Sequence, residues 1–367
     1  KLKDDAKKGW FGKAELATDA NQRWNNSLMA NSFKKKRKIS IYGINSSTGK
    51  LGLDWNEQGK FGGGDNGNMT MTDDGDTYFF WGGGDGFDDP SYWGEGIPKS
   101  WSGGLNYSNK FNNDKQSLNG SYKYGKIVND GFGSTISQSI LPDTLFFNNE
   151  RRTVFGNKDR HSLNGSFDWM VDSFFSAKAT VVATKGRIQG IKNYYSEALN
   201  ANNQYVNKSN RNNTTNGDNQ SIKATMLFRK KFRKIGRTIS LNIEQSFNES
   251  NSTGLLYSIN DFYNKSGVIN FSDTTDQQKI NATKSNILVS KLAYTEQLAK
   301  NLTLEISYGF NYNQSKNKVL SYDKAMDGKY SVLNTTYSND FDLNIITNQT
   351  GSVLRYSKKK LSLSIGG

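Results

Sequence analysis

The chain contains no cysteine, one histidine and three prolines among its 367 residues. Without cysteine there are no disulfides, thiolate metal centres or cysteine nucleophiles. With His161 as the single imidazole, no Ser-His-Asp triad or histidine metal cluster is visible, so neither enzymatic activity nor a cofactor is expected. No run of about 18 apolar residues occurs, which excludes a transmembrane helix. Hydrophobic residues make up only 34% and mean hydropathy is -0.75, a balance that on composition alone approaches that of disordered chains. An aromatic content of 13% opposes disorder.

The formal charge is +14 and the pI about 9.5, which raises nucleic acid as a partner. The basic residues, however, fall in short runs at turns: Lys34 to Lys38, Arg229 to Lys234 and Lys358 to Lys360. Single-strand recognition needs bases stacked on aromatics interleaved with cations. Here aromatics and charges alternate between faces or sit at opposite strand ends, so no nucleic-acid partner is expected. Turn lysines and arginines suit anionic lipid head groups instead.

What the sequence does have is period-2 alternation. From Trp101 to Phe111 the odd positions carry Trp101, Gly103, Leu105, Tyr107 and Phe111, with only Asn109 polar, and the even ones Ser102, Gly104, Asn106, Ser108 and Lys110. After a turn at 112–115, Leu118, Gly120, Tyr122 and Tyr124 alternate with Ser117, Asn119, Ser121 and Lys123. Each arm has the roughly 9 to 11 residues that a tilted strand needs to cross a bilayer, against about 5 or 6 in soluble domains. The face opposite the aromatics is Ser, Asn, Gly and Lys, which suits a wet lumen rather than a second packed sheet.

The same plan recurs along the chain. Trp10 to Thr18, Trp24 to Phe33 and Ile39 to Gly43 form the first three strands. Later pairs are Leu163 to Trp169 with Ala177 to Ala183, Ile222 to Phe228 with Ile239 to Phe247, Leu288 to Tyr294 with Leu302 to Tyr312, and Ser352 to Tyr356 with Leu361 to Ile365. The expectation is an all-β, antiparallel transmembrane outer-membrane β-barrel of about 13 strands, with short periplasmic turns and long extracellular loops. Irregular connections are expected at 130–157, 187–218, 248–284 and 315–343. Residues 1–367 read as one incomplete barrel domain in the cell outer membrane of a Gram-negative cell, in contact with lipid.

The longest stretch without alternation, 49–99, is Gly-, Asp- and aromatic-rich and is expected to be an ordered extracellular loop. Trp81, Asp85, Tyr92 and Trp93 are its candidates for contact with an extracellular ligand, since amphipathic rings suit stacking on sugars or aromatic solutes. Asp73, Asp74, Asp76, Asp88 and Asp89 are weaker candidates for calcium, because carboxylates on a flexible Gly backbone supply hard oxygen ligands. No EF-hand spacing or nonapeptide repeat supports that, and an ordinary hydrophilic loop is the simpler expectation.

Four runs carry a resemblance: KLKDDAKKGWFGK at 1–13, NSFKKKRKISIYGINSSTGKLGLDW at 31–55, GEGIPKSWSGGLNYSNKFNNDKQSLNGSYKY at 94–124, and RHSLNGSFDWMVDS at 160–173. These resemble the barrel portion of Bacteroidetes outer-membrane proteins of the TonB-dependent receptor-like class. The resemblance implies a barrel of about 22 strands. It also implies a plug domain lying outside this chain, energising by a TonB-type complex through that plug, and import of a nutrient ligand it does not identify. A surface adhesin or a plugless porin remains the alternative, distinguished by the absence of a plug.

Overall fold

The computed structural model describes residues 8–19, 21, 23–53, 69–71, 77–79, 92, 94–141, 144–358 and 361–367. Sixteen strands are present among them: β1 (Lys8–Thr18), β2 (Trp24–Lys34), β3 (Arg37–Ser46), β4 (Met69–Met71), β5 (Thr77–Phe79), β6 (Ile97–Phe111), β7 (Gln116–Leu141), β8 (Thr144–Met170), β9 (Phe175–Asn200), β10 (Tyr205–Lys231), β11 (Thr238–Tyr263), β12 (Ile269–Ala299), β13 (Leu302–Lys324), β14 (Tyr330–Leu333), β15 (Asn339–Lys358) and β16 (Leu361–Gly366). Thirteen of them run in chain order through one antiparallel sheet, β14 adds a short flap on β13, and β4 and β5 form a separate hairpin. β1 and β16 are the two ends of that order, so the barrel is not closed among the described residues.

Register carries one face through the whole sheet. Leu118 faces Phe167, then Ala179, Met226, Ile243, Ser290 and Phe310 on successive strands. A one-residue slip on any strand would turn its apolar set inward, so the pattern pins the pairing. Packing is inverted relative to a water-soluble domain. Ser40, Ser46, Ser100 and Ser321 are at most 1% exposed, whereas Leu16 is 84%, Ile306 51% and Leu363 59% exposed. Small polar groups fill the inner face, and large apolar groups await lipid on the outer one.

Five short turns, 35–36, 112–115, 171–174, 232–237 and 300–301, share one rim. Backbone bonds join neighbouring turns along it: the Met170 N–H donates to Lys115 O at 2.7 Å, and Lys231 N–H to Phe174 O at 2.6 Å. Asn112, Asn113 and Asp114 all have positive φ, at 54°, 53° and 66°, which short polar side chains tolerate. At 171–174 the Asp172 carboxylate accepts the N–H groups of Phe174 at 2.6 Å and Phe175 at 2.7 Å. Those two bonds hold the Asp172 carboxyl below the usual carboxylate range, assisted by the charges of Lys230 and Lys115.

On the opposite side the structure corrects the expectation of irregular connections. Residues 130–141, 187–200, 205–218, 248–263 and 269–284 continue as paired strands, so that β7 to β12 are 26 to 31 residues long. At about 3.3 Å per residue these strands reach roughly 85–100 Å, far beyond an apolar band of about 25 Å. Above the band both faces meet water, so alternation vanishes from the sequence while the backbone ladder persists. The hairpins close on tight polar turns: Asn200 Oδ1 accepts the N–H groups of Asn202 and Gln204, and Asn264 Oδ1 those of Ser266 and Val268. Phe262 stacks on Phe271 at 4.5 Å and Tyr205 packs on Tyr263 at 5.6 Å near these tips. The asymmetry between short turns and long excursions therefore stands, with the excursions built as strands.

Two outcomes test this architecture. Ile306→Lys should destabilise the membrane-assembled protein by about 2–4 kcal/mol in a denaturant titration in lipid vesicles, while Ser307→Lys on the lumen face should cost far less; equal costs would contradict the assigned faces. Because its carboxyl is held low, Asp172 stabilises the folded state above the unfolded pKa and loses that contribution as pH falls through the folded value. Asp172→Ala should therefore lower the melting temperature at pH 7, with the gap to the parent protein closing below about pH 4.

Candidate functional site

The two described ends of the 47–96 connection fold inward over the lumen face. Ser100 Oγ donates to Lys50 O at 2.7 Å, and Leu51 and Leu53 are buried, Leu53 against Met29, Ile44 and Tyr42. At the other end Tyr92 N–H donates to Gly49 O at 2.7 Å, and the Tyr92 hydroxyl to Glu95 O at 2.6 Å. Burial, then the neighbouring Glu95 charge, pushes the Tyr92 phenol above its usual range, so at neutral pH it is a donor. Glu95 is clamped from the wall: Arg152 Nε lies 3.0 Å from one carboxylate oxygen and Lys192 Nζ 3.5 Å from the other. Asn129 Nδ2 donates to Glu95 O at 2.9 Å.

Beneath this clamp lies a cavity of about 1090 Å³, lined chiefly by the inner faces of β8 to β12 and by Tyr92 and Glu95. Its floor follows from register. Asn129, Gly156, Gly190, Thr215, Gly254 and Lys279 stand directly opposite one another on six consecutive strands. Three glycines in that row leave the wall without side chains where neighbouring rows carry them. The row below includes Lys158 and Ile188; the rows above include Val154 and Lys192, then Arg152, Tyr194 and Arg211. Arg211 holds its guanidinium carbon 4.5 Å from the Tyr194 ring centroid. On the outer face the same levels carry Asn157, Arg187 and Asp218, paired with Gln189, Asp159 and Asn251. The cavity thus sits above the apolar band, at the end of the lumen where the long hairpins rise.

Of the ligand candidates read from the sequence, Tyr92 borders this cavity. Its hydroxyl is committed to Glu95 O. Trp81, Asp85 and Trp93, and the calcium candidates Asp73, Asp74, Asp76, Asp88 and Asp89, lie outside the described residues. Among the described residues no group of three or more His, Asp or Glu is arranged to hold a metal ion. The sequence reading missed Lys192, Arg211 and Lys279 because they fall in segments taken as loops, and Lys158 because it stands between the connection expected at 130–157 and the strand read from Leu163. Counting alternate positions outward from Trp169, Ala183 and Ile222 would have placed Lys158, Lys192 and Arg211 on the lumen face.

A model of the outer membrane protein beta-barrel family matches residues 230–367, from the end of β10 through β16. No curated protein matches the chain. Among solved structures it is similar to the copper transporter OprC, with 9% identity over 98% of this chain and 74% of that chain and a TM-score of 0.20. That likeness is too loose to carry an argument.

Glu95→Ala should release residues 94–96 and speed their hydrogen exchange about fivefold, equivalent to ~1 kcal/mol of ion pairing, without altering barrel assembly; unchanged exchange would show that the clamp holds nothing. The inverted sheet, its one-sided short turns and the family match over its last strands together make this chain the wall of an outer-membrane β-barrel.

Proposed function

We propose that this wall belongs to a TonB-dependent receptor-like transporter, which binds an extracellular solute at the outer mouth and admits it through the lumen. The observation that carries the reading is the cavity on the lumen face beside Tyr92 and Glu95, lined by apolar groups with a few cations and amides and placed above the lipid band where a solute from outside meets it first. A ligand site of this kind is concave, largely preformed and served by a few convergent polar groups. The sequence resemblance supports energised import through a plug and a TonB-type partner, both outside this chain. No bond-making chemistry is assigned to the site.

Energised import predicts that cells carrying the protein accumulate a labelled solute only while the inner membrane is energised, with surface binding persisting after an uncoupler is added. Uptake that continues after uncoupling would indicate a passive pore, and binding without uptake an adhesin; either result overturns the reading. Replacing Trp81, Tyr92 and Trp93 together with Ala should weaken solute binding by at least about tenfold. Heat-modifiable migration of the barrel should stay unchanged. Unaltered affinity would remove the aromatic loop from the site.

A further inference from the structure

Among the described residues the cavity wall carries an excess of positive charge. Lys158, Lys192, Arg211 and Lys279 all line it, and Glu95 is the acidic residue beside them. Glu95 is already shared by Lys192 and Arg152. Lys158, Arg211 and Lys279 have no acidic partner among the described residues, and Arg211 stacks on Tyr194, an arrangement that leaves its guanidinium edge free for a bidentate acceptor. Cations gathered on one side of a low-dielectric wall repel one another and focus a positive potential into the space they enclose.

Register fixes their spacing. Lys158 on β8 and Lys279 on β12 are four strands apart, about 19 Å along the sheet, with Arg211 on β10 between them and a few residues nearer the hairpin tips. A single small anion cannot reach all three, whereas an extended solute with acidic groups at intervals can. The volume, about 1090 Å³, stands at the upper end of ligand cavities, which run to about 1,000 Å³. Asn213 and Thr215 add neutral hydrogen-bonding groups between the cations.

We propose that the cavity binds an oligoanion, a solute carrying several carboxylate or phosphate groups, with Lys158, Arg211 and Lys279 as its cationic contacts. The proposal rests on the uptake reading only in taking the lumen to be open to the outside. Binding is measured on the isolated protein, so its failure leaves energised import standing, and a failure of import leaves binding standing.

Gly190 supplies the test. It lies in the floor row between these cations, and a Cβ built there meets only Phe155 O, at 3.8 Å, so a side chain can be added without displacing the wall. The protein purified from outer membranes in detergent would be titrated calorimetrically with oligogalacturonate, inorganic tripolyphosphate and neutral maltohexaose. Expected results are binding of at least one oligoanion that weakens with added salt, and no binding of maltohexaose. Gly190→Glu should weaken oligoanion binding by about tenfold or more through like-charge repulsion and bulk, and by at least about threefold more than Gly190→Gln, which adds the same bulk without the charge. Lys279→Gln should weaken it severalfold. Preference between the two oligoanions identifies carboxylate or phosphate as the recognised group. Equal binding of maltohexaose, indifference to Gly190→Glu, or binding of neither oligoanion would each overturn the proposal.

Discussion

Every backbone N–H and C=O that lies in hydrocarbon must be bonded within the protein, because lipid offers no partner. This constraint governs the rest of the structure. It explains why consecutive strands pair in chain order without a crossover from β1 to β16, and why neighbouring short turns bond to one another at the rim. The ladder, rather than a core, is the main source of order: buried large apolar side chains among the described residues are few, and the one buried apolar cluster is Met29, Ile44 and Leu53.

The same constraint allows the inversion of polarity. With the backbone satisfied laterally, neither face has to pack against another layer, so the outer face can be greasy and the inner one wet. The strands need not stop where lipid stops, either. The ladder continues above the apolar band, with register shifts at 205–207, 262–263 and 323–324, and hydrogen bonds, stacked aromatics and ion pairs such as Lys324 with Asp276 at 3.1 Å carry the hairpins outward.

Function follows from where the inner face is interrupted. Glycines aligned across neighbouring strands thin the wall, Tyr92, Gly94 and Glu95 border the gap, and cations from four strands line it. A polar lumen alone would serve a passive pore equally well. In the uptake we propose, the charged recess above the lipid band is where a solute is selected before it is admitted.

Much of the wall was legible in the chain. Alternation from Trp101 to Tyr124 and from Leu302 to Tyr312 specified strands, their lipid face and the short turns between them, because within the bilayer each face meets a different solvent. Above the bilayer both faces meet water, so Lys192 and Arg211 stood in the stretch 187–218 that read as a loop. The sequence by itself determined the all-β class, the membrane location and the faces of the spanning segments. Only the tertiary structure decided that the strands run on, that Glu95 reaches across to Arg152 and Lys192, and that Gly156, Gly190 and Gly254 align, since each depends on register between strands far apart in sequence, which periodicity within one strand does not encode.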